Sequence, residues 1–555
     1  MHEIKYKEWI ENNYFDLKTR EELLKIKDNA KEIEDRFYKN LDFGTAGLRG
    51  IIGAGTNRIN IYTIRKVTQG LADFLNKNIN NKIIKVVIAY DSRLYSKEFA
   101  VESAIVLNAN NIKTFLFKEL TPTPVLSFAV RYLNCDSGIV ITASHNPKEY
   151  NGYKIYGKDG GQVSSPIDRK IIDCVNNIDS FDKIKLIDKN IAQEKKLFNV
   201  LDDDVNKKYL EAIKIQKLNF NNKSNLKIVY TPLNGTGNKL VRKILKDTGF
   251  NNLSTVPEQE NPDNNFSSVG IPNPEIIESF ELALKLAEIK KADIIIATDP
   301  DADRIGVMIK NNRDEYKLLS GNAIGVLLCE YILSQRKKNN NLKKSNLVIT
   351  SIVSTKLTRA ITMNYNIDCV EVLTGFKNIA RIINTRESDF IFAFEESYGY
   401  LSGLHARDKD AIVTSMLVCE MTDHYKSQGL NLFDVLEKIY KREGFYKEIN
   451  FSKIFEGFDI TKKIEKIMIN LRENKLEKIC GIKINEIRDY KTGYKNYDRS
   501  DILYFILEDN SWICIRPSGT EPKLKFYIGA NSFIEKDVNE KLKNIRHFIE
   551  DLITD

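Results

Sequence analysis

The stretch Ala292-Asp-Ile-Ile-Ile-Ala-Thr-Asp-Pro-Asp-Ala-Asp-Arg304 joins an uninterrupted apolar run to a cluster of three carboxylates. Continuous apolarity, without the alternation of a half-exposed strand, is typical of a strand buried on both faces of a parallel sheet. Amphipathic stretches lie between this run and several similar ones, and the alternation predicts an α/β protein. The similar Val- and Ile-rich runs are at 85–89, 113–117, 138–142, 226–230, 347–353 and 389–394.

The pattern arrives in blocks, which predict four domains at 1–205, 206–318, 319–445 and 446–555. The first three blocks predict consecutive α/β domains with mixed sheets. After about residue 445 the pattern changes to strands near 501–508 and 512–515 and a final amphipathic helix. The last block therefore predicts a smaller α+β domain.

The composition of the 555 residues excludes several classes of function. The 84 basic and 76 acidic side chains give a net charge of only +8 without a long basic run, which argues against a nucleic-acid binder. No apolar run approaches the ~18 residues of a membrane span, and the first residues lack the apolar region of a secretory signal. The seven cysteines occur singly, which favours free thiols. We expect a cytoplasmic protein that binds neither nucleic acid nor membranes.

The acidic motif Asp299-Pro-Asp-Ala-Asp-Arg304 is the strongest chemical signal. Carboxylates at alternate positions of an extended segment project to one side and offer the hard oxygen ligands that suit Mg²⁺. An EF-hand is excluded because Arg304 and Lys310 stand where its loop needs Gly and Glu. A solvated acidic turn is the alternative. We predict that Asp299, Asp301 and Asp303 are metal ligands.

The motif Thr142-Ala-Ser-His-Asn-Pro147 also ends an apolar run. A serine on a turn after a strand is a candidate nucleophile or phosphate carrier, so Ser144 is the predicted reactive residue. His145 supplies a hydrogen-bond donor beside it, and Lys154 adds a cation nearby. An ordinary serine turn is the alternative interpretation.

Four further loops contain candidate functional residues. The loop Arg516-Pro-Ser-Gly-Thr-Glu-Pro-Lys523 combines a guanidinium, two hydroxyls and a glycine, which suits a phosphate dianion. The loop Phe394-Glu-Glu-Ser-Tyr-Gly399 offers side chains that bind sugar hydroxyls. The loop Thr374-Gly-Phe-Lys377 lies between a strand and a helix, and His405-Ala-Arg-Asp-Lys-Asp410 gathers acid–base candidates. Plain turns are the alternative in each case.

A charge count connects the acidic and serine motifs. Three carboxylates and one Mg²⁺ sum to about −1, and a phosphoserine adds roughly −1.5 to −2. A phosphate there needs further cations, and Arg304, Lys154, His145 and Arg49 are available. The chain thus contains the parts for Mg²⁺-assisted phosphoryl transfer, in which positioning and charge neutralisation dominate.

The motifs at 142–147, 299–304, 395–399 and 516–523, in this order, resemble those of the α-D-phosphohexomutase superfamily, the phosphoglucomutase/phosphomannomutase group. The resemblance runs from Phe43 to the C-terminal domain. It implies four domains around a central cleft, a Mg²⁺ cofactor, and a small-molecule sugar phosphate as substrate. It also implies interconversion of glucose 1-phosphate and glucose 6-phosphate, with glucose 1,6-bisphosphate as activator and intermediate, by a monomer or weak dimer.

The resemblance further implies a role for each matching residue. Ser144 corresponds to the phosphoserine, whose oxygen completes the metal site of Asp299, Asp301 and Asp303. The other implied roles are the surroundings of the transferred phosphate (Arg49, Lys154, Arg304), sugar recognition (Glu395, Ser397), the loop beside it (Thr374, Gly375, Lys377), and the grip on the second phosphate (Arg516, Ser518, Gly519, Thr520). Either Lys154 or Lys409 is the general acid–base group. Mannose and pentose phosphates stay open as substrates, and a Mg²⁺-dependent sugar phosphatase is the less favoured alternative.

Overall fold

The computed structural model describes residues 2–41, 43–44, 47–80, 82–219, 224–455, 460–473, 476–495, 497–518 and 523–553. The chain divides into two units. The first comprises residues 1–321, 376–393 and 397–424, and the second comprises residues 322–375, 394–396 and 425–555. Among the described residues, no helix combines the length and the apolarity that crossing a bilayer demands.

The first sheet of the first unit is mixed and has seven strands among the residues that the structure describes. Four of them are parallel neighbours, and the remaining pairings are antiparallel. In sheet order the strands are Phe43–Gly44, Gly47–Ile51, Tyr150–Gly157, Ser137–Ile141, Lys85–Tyr90, Lys113–Phe117 and Phe198–Leu201. The α-helices of this part are His2–Glu11, Leu17–Leu24, Ala30–Phe37, Ile61–Asn78, Ser96–Ala109, Thr123–Tyr132, Ile167–Asn176, Lys189–Glu194 and Asp204–Lys214.

The second sheet of the first unit contains the stretch on which the fold prediction rests. Ile294–Thr298 is buried along its whole length, as its apolarity predicts. It pairs in parallel with Ile228–Thr231 and antiparallel with Ile305–Lys310. The edge strands are Leu253–Thr255 and Tyr316–Leu318, and the α-helices are Asn238–Asp247, Pro257–Glu260 and Glu281–Lys290. A 3₁₀ turn over Ile277–Phe280 precedes the last of these helices.

The remaining elements of the first unit come from later in the chain. They are the helix Phe376–Thr385, the strand Gly399–Ser402 and most of the helix Ala411–Lys426. The strand Phe390–Glu395 begins in the first unit, and its last two residues belong to the second.

The second unit pairs an α/β portion with a C-terminal antiparallel sheet. Leu347–Ser351 and Asp368–Val372 are parallel strands, accompanied by the helices Gly321–Lys338, Leu357–Asn364 and Leu432–Glu443. The C-terminal sheet has the strand order Phe445–Ile454, Lys523–Ser532, Trp512–Pro517, Leu503–Leu507, Ile482–Asp489 and Lys478–Ile479, with helices Ile460–Glu473 and Glu535–Leu552. The final helix buries Val538, Leu542, Ile545 and Ile549, so its apolar stripe packs as the spacing predicts.

The predicted fold class, α/β followed by a smaller α+β part, agrees with this architecture. The domain boundaries and the central cleft stay predictions. What matters for function is that Ser137–Ile141 and Ile294–Thr298 both belong to the first unit, and that the serine and acidic loops follow directly from their carboxyl ends. Carboxyl ends of parallel strands are the usual place for ligands in α/β sheets.

Candidate active site

Ser144, the predicted reactive residue, lies in a tightly constrained loop. Ser144 adopts a φ of +53°, in the left-handed region, and its side chain is buried. Its backbone N–H donates to Thr142 Oγ1 over 2.8 Å, which fixes the turn. Its hydroxyl donates to Asp299 Oδ2 over 2.6 Å and lies 3.1 Å from His145 Nδ1. The structure therefore joins the two strongest sequence motifs through a direct hydrogen bond.

An arginine that the motif analysis did not single out supports this loop. The Arg93 guanidinium donates to four backbone carbonyls, those of Ser144, Asn146, Pro147 and Tyr150, at 2.5–3.1 Å. Arg93 Nε lies 3.3 Å from Asp91 Oδ2. Arginine suits this task because its planar fork presents five donors in fixed directions. Its position directly after the buried strand Lys85–Tyr90 is the sequence signal that marks it.

The acidic loop is organised around Asp299. Its Oδ1 accepts the backbone N–H groups of Asp303 and Arg304 at 3.0 and 2.9 Å, so the same carboxylate holds its own loop and the serine. Oxygens of Asp299, Asp301 and Asp303 lie within 4.8 Å of one another, and all three residues are buried.

The donor set of this trio fits a divalent cation. Asp301 Oδ1 and Asp303 Oδ1 are buried and have no hydrogen-bond partner among the described residues. Buried carboxylate oxygens are costly without a partner, and hard oxygen ligands of this kind suit Mg²⁺. These residues therefore form a candidate metal centre.

Two lysines contribute positive charge to the trio. Lys154 Nζ donates to Asp301 Oδ2 over 2.9 Å, and Lys409 Nζ lies 3.1 Å from both Asp303 Oδ2 and Asp408 Oδ1. Lys409 needs the glycine at position 399, because a Cβ there would come within 2.1 Å of Lys409 Cδ. Both candidates for the acid–base group thus lie at the acidic loop.

The ionisation of the trio is uneven. Burial and the charges of Asp301 and Asp303 raise the pKa of Asp299 well above its usual range. Burial and Asp301 also raise the pKa of Asp303. Burial opposes the ionisation of Asp301 too, but Lys154 and hydrogen bonds outweigh it and hold the pKa of that carboxyl well below its usual value. Of the three carboxyls, Asp301 is therefore the one whose charged form its surroundings favour most.

His145 is neutral at pH 7. Burial, together with the charges of Arg304 and Arg49, holds the pKa of its imidazole well below the usual value. A neutral ring near Ser144 Oγ is able to accept or donate one hydrogen bond according to its tautomer.

Four other predicted residues belong to the first unit, and two of them contact the serine loop or the acidic loop. Arg49 Nη1 donates to Asn146 Oδ1 over 3.0 Å, so it contacts the serine loop. Arg304 contacts Glu275, and its Nε is 3.8 Å from Asp303 Oδ1. Lys377 is in the first turn of the helix Phe376–Thr385 and is half-buried, as is Ser397.

The second unit brings together a separate group of predicted residues. Gly375 N donates to Glu395 Oε1 over 2.7 Å, and its φ of +107° favours glycine at this turn. The half-buried Arg516 guanidinium donates to Thr374 Oγ1. Ser518 N donates to Lys523 O over 2.8 Å, so backbone pairing continues into the loop after Trp512–Pro517. Gly519 and Thr520 lie outside the described residues.

Comparison with family models identifies the chain. The four successive models for phosphoglucomutase/phosphomannomutase match it, the alpha/beta/alpha domains I, II and III at residues 40–182, 207–312 and 320–442, and the C-terminal domain at 468–546. The chain belongs to the phosphoglucomutase/phosphomannomutase family. The predicted family, fold class and enzyme class are confirmed.

Individual phosphoglucomutases and solved structures agree with this assignment. The chain is 39% identical over 525 residues to the phosphoglucomutase of Staphylococcus haemolyticus, covering 92% of this chain and 94% of the relative. It is 40% identical over 533 residues to that of Staphylococcus aureus strain N315, covering 93% and 94%.

Two crystal structures share the fold of this family member at lower identity. The open form of the parafusin phosphoglucomutase of Paramecium has a TM-score of 0.68 at 18% identity, covering 93% of this chain and 96% of that one. A phosphoglucomutase/phosphomannomutase family protein of Burkholderia thailandensis has a TM-score of 0.67 at 19% identity, covering 92% and 97%. At these identities the likeness concerns the fold alone.

Proposed function

We propose that the protein interconverts glucose 1-phosphate and glucose 6-phosphate, with phospho-Ser144 as phosphoryl donor and glucose 1,6-bisphosphate as intermediate. The observation that carries this proposal is the buried contact of 2.6 Å between Ser144 Oγ and Asp299 Oδ2, within a trio of carboxylates flanked by two lysines. The names of the two staphylococcal relatives support the choice of glucose.

The first half-reaction moves the phosphoryl group from the serine to the sugar. A free sugar hydroxyl forms a bond to phosphorus as the bond between phosphorus and Ser144 Oγ breaks. The hydroxyl proton passes to a basic side chain, for which Lys154 and Lys409 are the candidates, and a proton is returned to the released Ser144 Oγ. The resulting bisphosphate then turns over, and its other phosphoryl group returns to Ser144 Oγ.

Asp299, Asp301, Asp303 and an oxygen of phospho-Ser144 would hold Mg²⁺. When bound, this ion withdraws charge from the phosphoryl oxygens and so lowers the barrier to transfer. Arg49, Lys154 and Arg304 add the positive charge that a phosphate beside three carboxylates needs. The burial of Ser144 limits access of water, which favours transfer over hydrolysis.

Recognition of the bound sugar is assigned to the remaining predicted residues. We assign Glu395 and Ser397 to the sugar hydroxyls, with Thr374, Gly375 and Lys377 beside them. We assign Arg516, Ser518, Gly519 and Thr520 to the phosphate that is not transferred. The hydrogen bonds of Gly375 to Glu395 and of Arg516 to Thr374 support a common role for these loops. The cytoplasmic location and the monomeric or weakly dimeric state stay predictions.

A panel of sugar 1-phosphates tests the proposal. Glucose, mannose and pentose 1-phosphates are incubated with Mg²⁺ and a trace of glucose 1,6-bisphosphate, and the products are quantified. We expect glucose 6-phosphate as the major product. Free phosphate without glucose 6-phosphate would reject the mutase, and preferential turnover of mannose or pentose 1-phosphate would reject the choice of sugar.

The serine is tested separately. Ser144→Ala removes the phosphate carrier, so we expect turnover to fall to the background rate while the unfolding temperature is retained. Intact mass after incubation with the bisphosphate should show one phosphate on the wild type and none on the variant. Ser388→Ala, which changes an exposed serine of the same unit, is the matched control. Wild-type turnover in Ser144→Ala would contradict the mechanism.

A further inference from the structure

A cavity of about 500 Å³ lies in the first unit, lined by residues from segments 90–98, 118–120, 235–239 and 260–264. We call it the rear cavity. Its lining comes from the carboxyl end of the strand Lys85–Tyr90 and from the turn that precedes the helix Asn238–Asp247. None of the described residues assigned to the reaction lines it. Its volume is within the range of small-molecule sites in proteins.

Three uncharged side chains of the rear-cavity lining carry buried polar atoms that lack a hydrogen-bond partner among the described residues. Ser92 Oγ, Thr236 Oγ1 and Asn238 Oδ1 are buried and have no hydrogen-bond partner in the part of the chain that the structure describes. Ser92 is 8% exposed and Thr236 is 7% exposed. Buried polar groups in native proteins are nearly always hydrogen-bonded, because an unpaired one is costly. Two hydroxyls and one amide oxygen together suit a ligand that carries several hydroxyl groups.

The charges around the rear cavity favour an uncharged ligand. The lining contains equal numbers of acidic and basic residues, four of each: Asp91, Glu98, Glu119, Glu260, Arg93, Lys97, Lys118 and Lys239. Two oppositely charged pairs are in contact, Lys239 with Glu119 at 2.5 Å and Arg93 with Asp91 at 3.3 Å. Tyr90 and Tyr95 add aromatic surface, on which the C–H faces of a sugar ring pack well.

Both catalytic loops are attached to the walls of the rear cavity. Arg93 lines the cavity and holds four carbonyls of the segment Ser144–Tyr150. Thr236 also lines it, and its backbone N–H donates to Pro300 O over 2.8 Å, within the acidic loop. A molecule that contacts these residues therefore acts on the positions of both loops without entering the reaction centre.

We propose that the rear cavity binds a neutral polyhydroxylated molecule of the carbohydrate class, and that this binding changes the mobility of the serine loop. The loop and the cavity are coupled through Arg93, and the coupling is reciprocal by thermodynamic necessity. This site is independent of the sugar-phosphate chemistry assigned above, so its test does not require an active enzyme.

Binding is tested by calorimetry on the full chain with glucose, maltose, myo-inositol and glycerol as probes. We expect saturable binding of at least one probe at one site per chain, unchanged by Ser144→Ala and by excess glucose 1,6-bisphosphate. Thr236→Val removes one hydroxyl at nearly constant volume and should weaken binding about tenfold. Asn264→Trp places a large ring at the exposed rim of the cavity and should abolish it. Thr385→Val, at an exposed threonine outside the cavity, is the control.

Coupling is tested by amide hydrogen exchange of peptides that contain residues 142–150. We expect the exchange rate of this segment to change at least about twofold on saturation with the bound probe, and not in Asn264→Trp. The proposal would be overturned if none of the probes bound at millimolar concentration. It would also be overturned if glucose 1,6-bisphosphate displaced the bound probe, or if neither Thr236→Val nor Asn264→Trp changed the affinity. Binding that leaves the hydrogen exchange of the serine loop unchanged would overturn it as well.

Discussion

The ion pair between Lys154 and Asp301 gives a quantitative prediction. Lys154 Nζ lies 2.9 Å from Asp301 Oδ2 and 3.8 Å from Asp303 Oδ2, and the lysine side chain is 12% exposed. Lys154→Met keeps most of the side-chain volume and removes the charge. Because removal of one partner of a buried pair typically costs about 3–5 kcal/mol, we expect the first unit to lose stability of that order without metal.

Added Mg²⁺ should offset part of the stability that Lys154→Met loses. The acidic trio then lacks one cation, so a divalent ion offsets more repulsion in the variant than in the wild type. We expect the rise in unfolding temperature on going from EDTA to Mg²⁺ to be larger in Lys154→Met. Turnover should nevertheless fall, because Lys154 is also assigned to the transferred phosphate.

The pH dependence follows from the sign of the pKa shift. Lys154 holds the pKa of Asp301 below its unfolded value, so the stabilisation is present above that value and is lost as pH falls through the folded one. The stability difference between wild type and variant should therefore narrow as pH falls below about 4, the unfolded pKa of an aspartate.

Thermal unfolding in EDTA and in Mg²⁺, at pH values from about 2 to 8 so that the range below the unfolded pKa is included, measures all of these effects. Lys158→Met removes the same charge at an exposed position a few residues away and is the matched control. Equal losses of stability in Lys154→Met and Lys158→Met, together with equal responses to Mg²⁺, would refute the reasoning.

Three other substitutions have defined outcomes. Asp301→Asn should weaken Mg²⁺ activation of turnover by at least about tenfold because it removes a charged ligand, and an unchanged Mg²⁺ titration would contradict the metal assignment. Gly399→Ala should lower kcat by about 10²-fold, because the new Cβ displaces Lys409; a wild-type kcat would argue against a role for that lysine. Burial raises the pKa of Glu448 to about 7, so folding takes up a proton and stability falls between about pH 4.5 and 7. Glu448→Gln should flatten the dependence of the unfolding free energy on pH. The change is below about 3 kcal/mol, because Glu448 is partly exposed. If chemical denaturation gave the same pH dependence for variant and wild type, the raised pKa would be disproved.

The sequence predicts those parts of the site in which a functional side chain directly follows a recognisable strand. The acidic trio and Ser144 each follow a continuous apolar run, so the strand and the reactive residue are visible in one short segment. The same holds for the strand at 512–517 and for Arg516 at its end.

The parts that the sequence does not predict depend on contacts between distant segments. Thr123 Oγ1 donates to Asp301 Oδ2 over 2.9 Å, yet Thr123 belongs to an ordinary-looking helix start. Asp408 contacts Lys409 near the trio, but nothing in the sequence distinguishes it from the other acidic residues. Arg93 is marked only by its place after a strand. Pairings of this kind follow from the tertiary fold, which local residue patterns do not specify.

The hydrogen bond from Ser144 to Asp299 distinguishes two chemical forms of the enzyme. Once its oxygen is esterified, Ser144 has no proton to donate, so this bond exists only when the serine is unmodified. On the proposed mechanism, esterification of Ser144 therefore releases one oxygen of Asp299 when a phosphate dianion comes to lie nearby. On the proposed mechanism, hydrolysis of phospho-Ser144 lets the hydrogen bond between Ser144 and Asp299 form again, and we expect that glucose 1,6-bisphosphate is then needed to restore the phosphorylated enzyme.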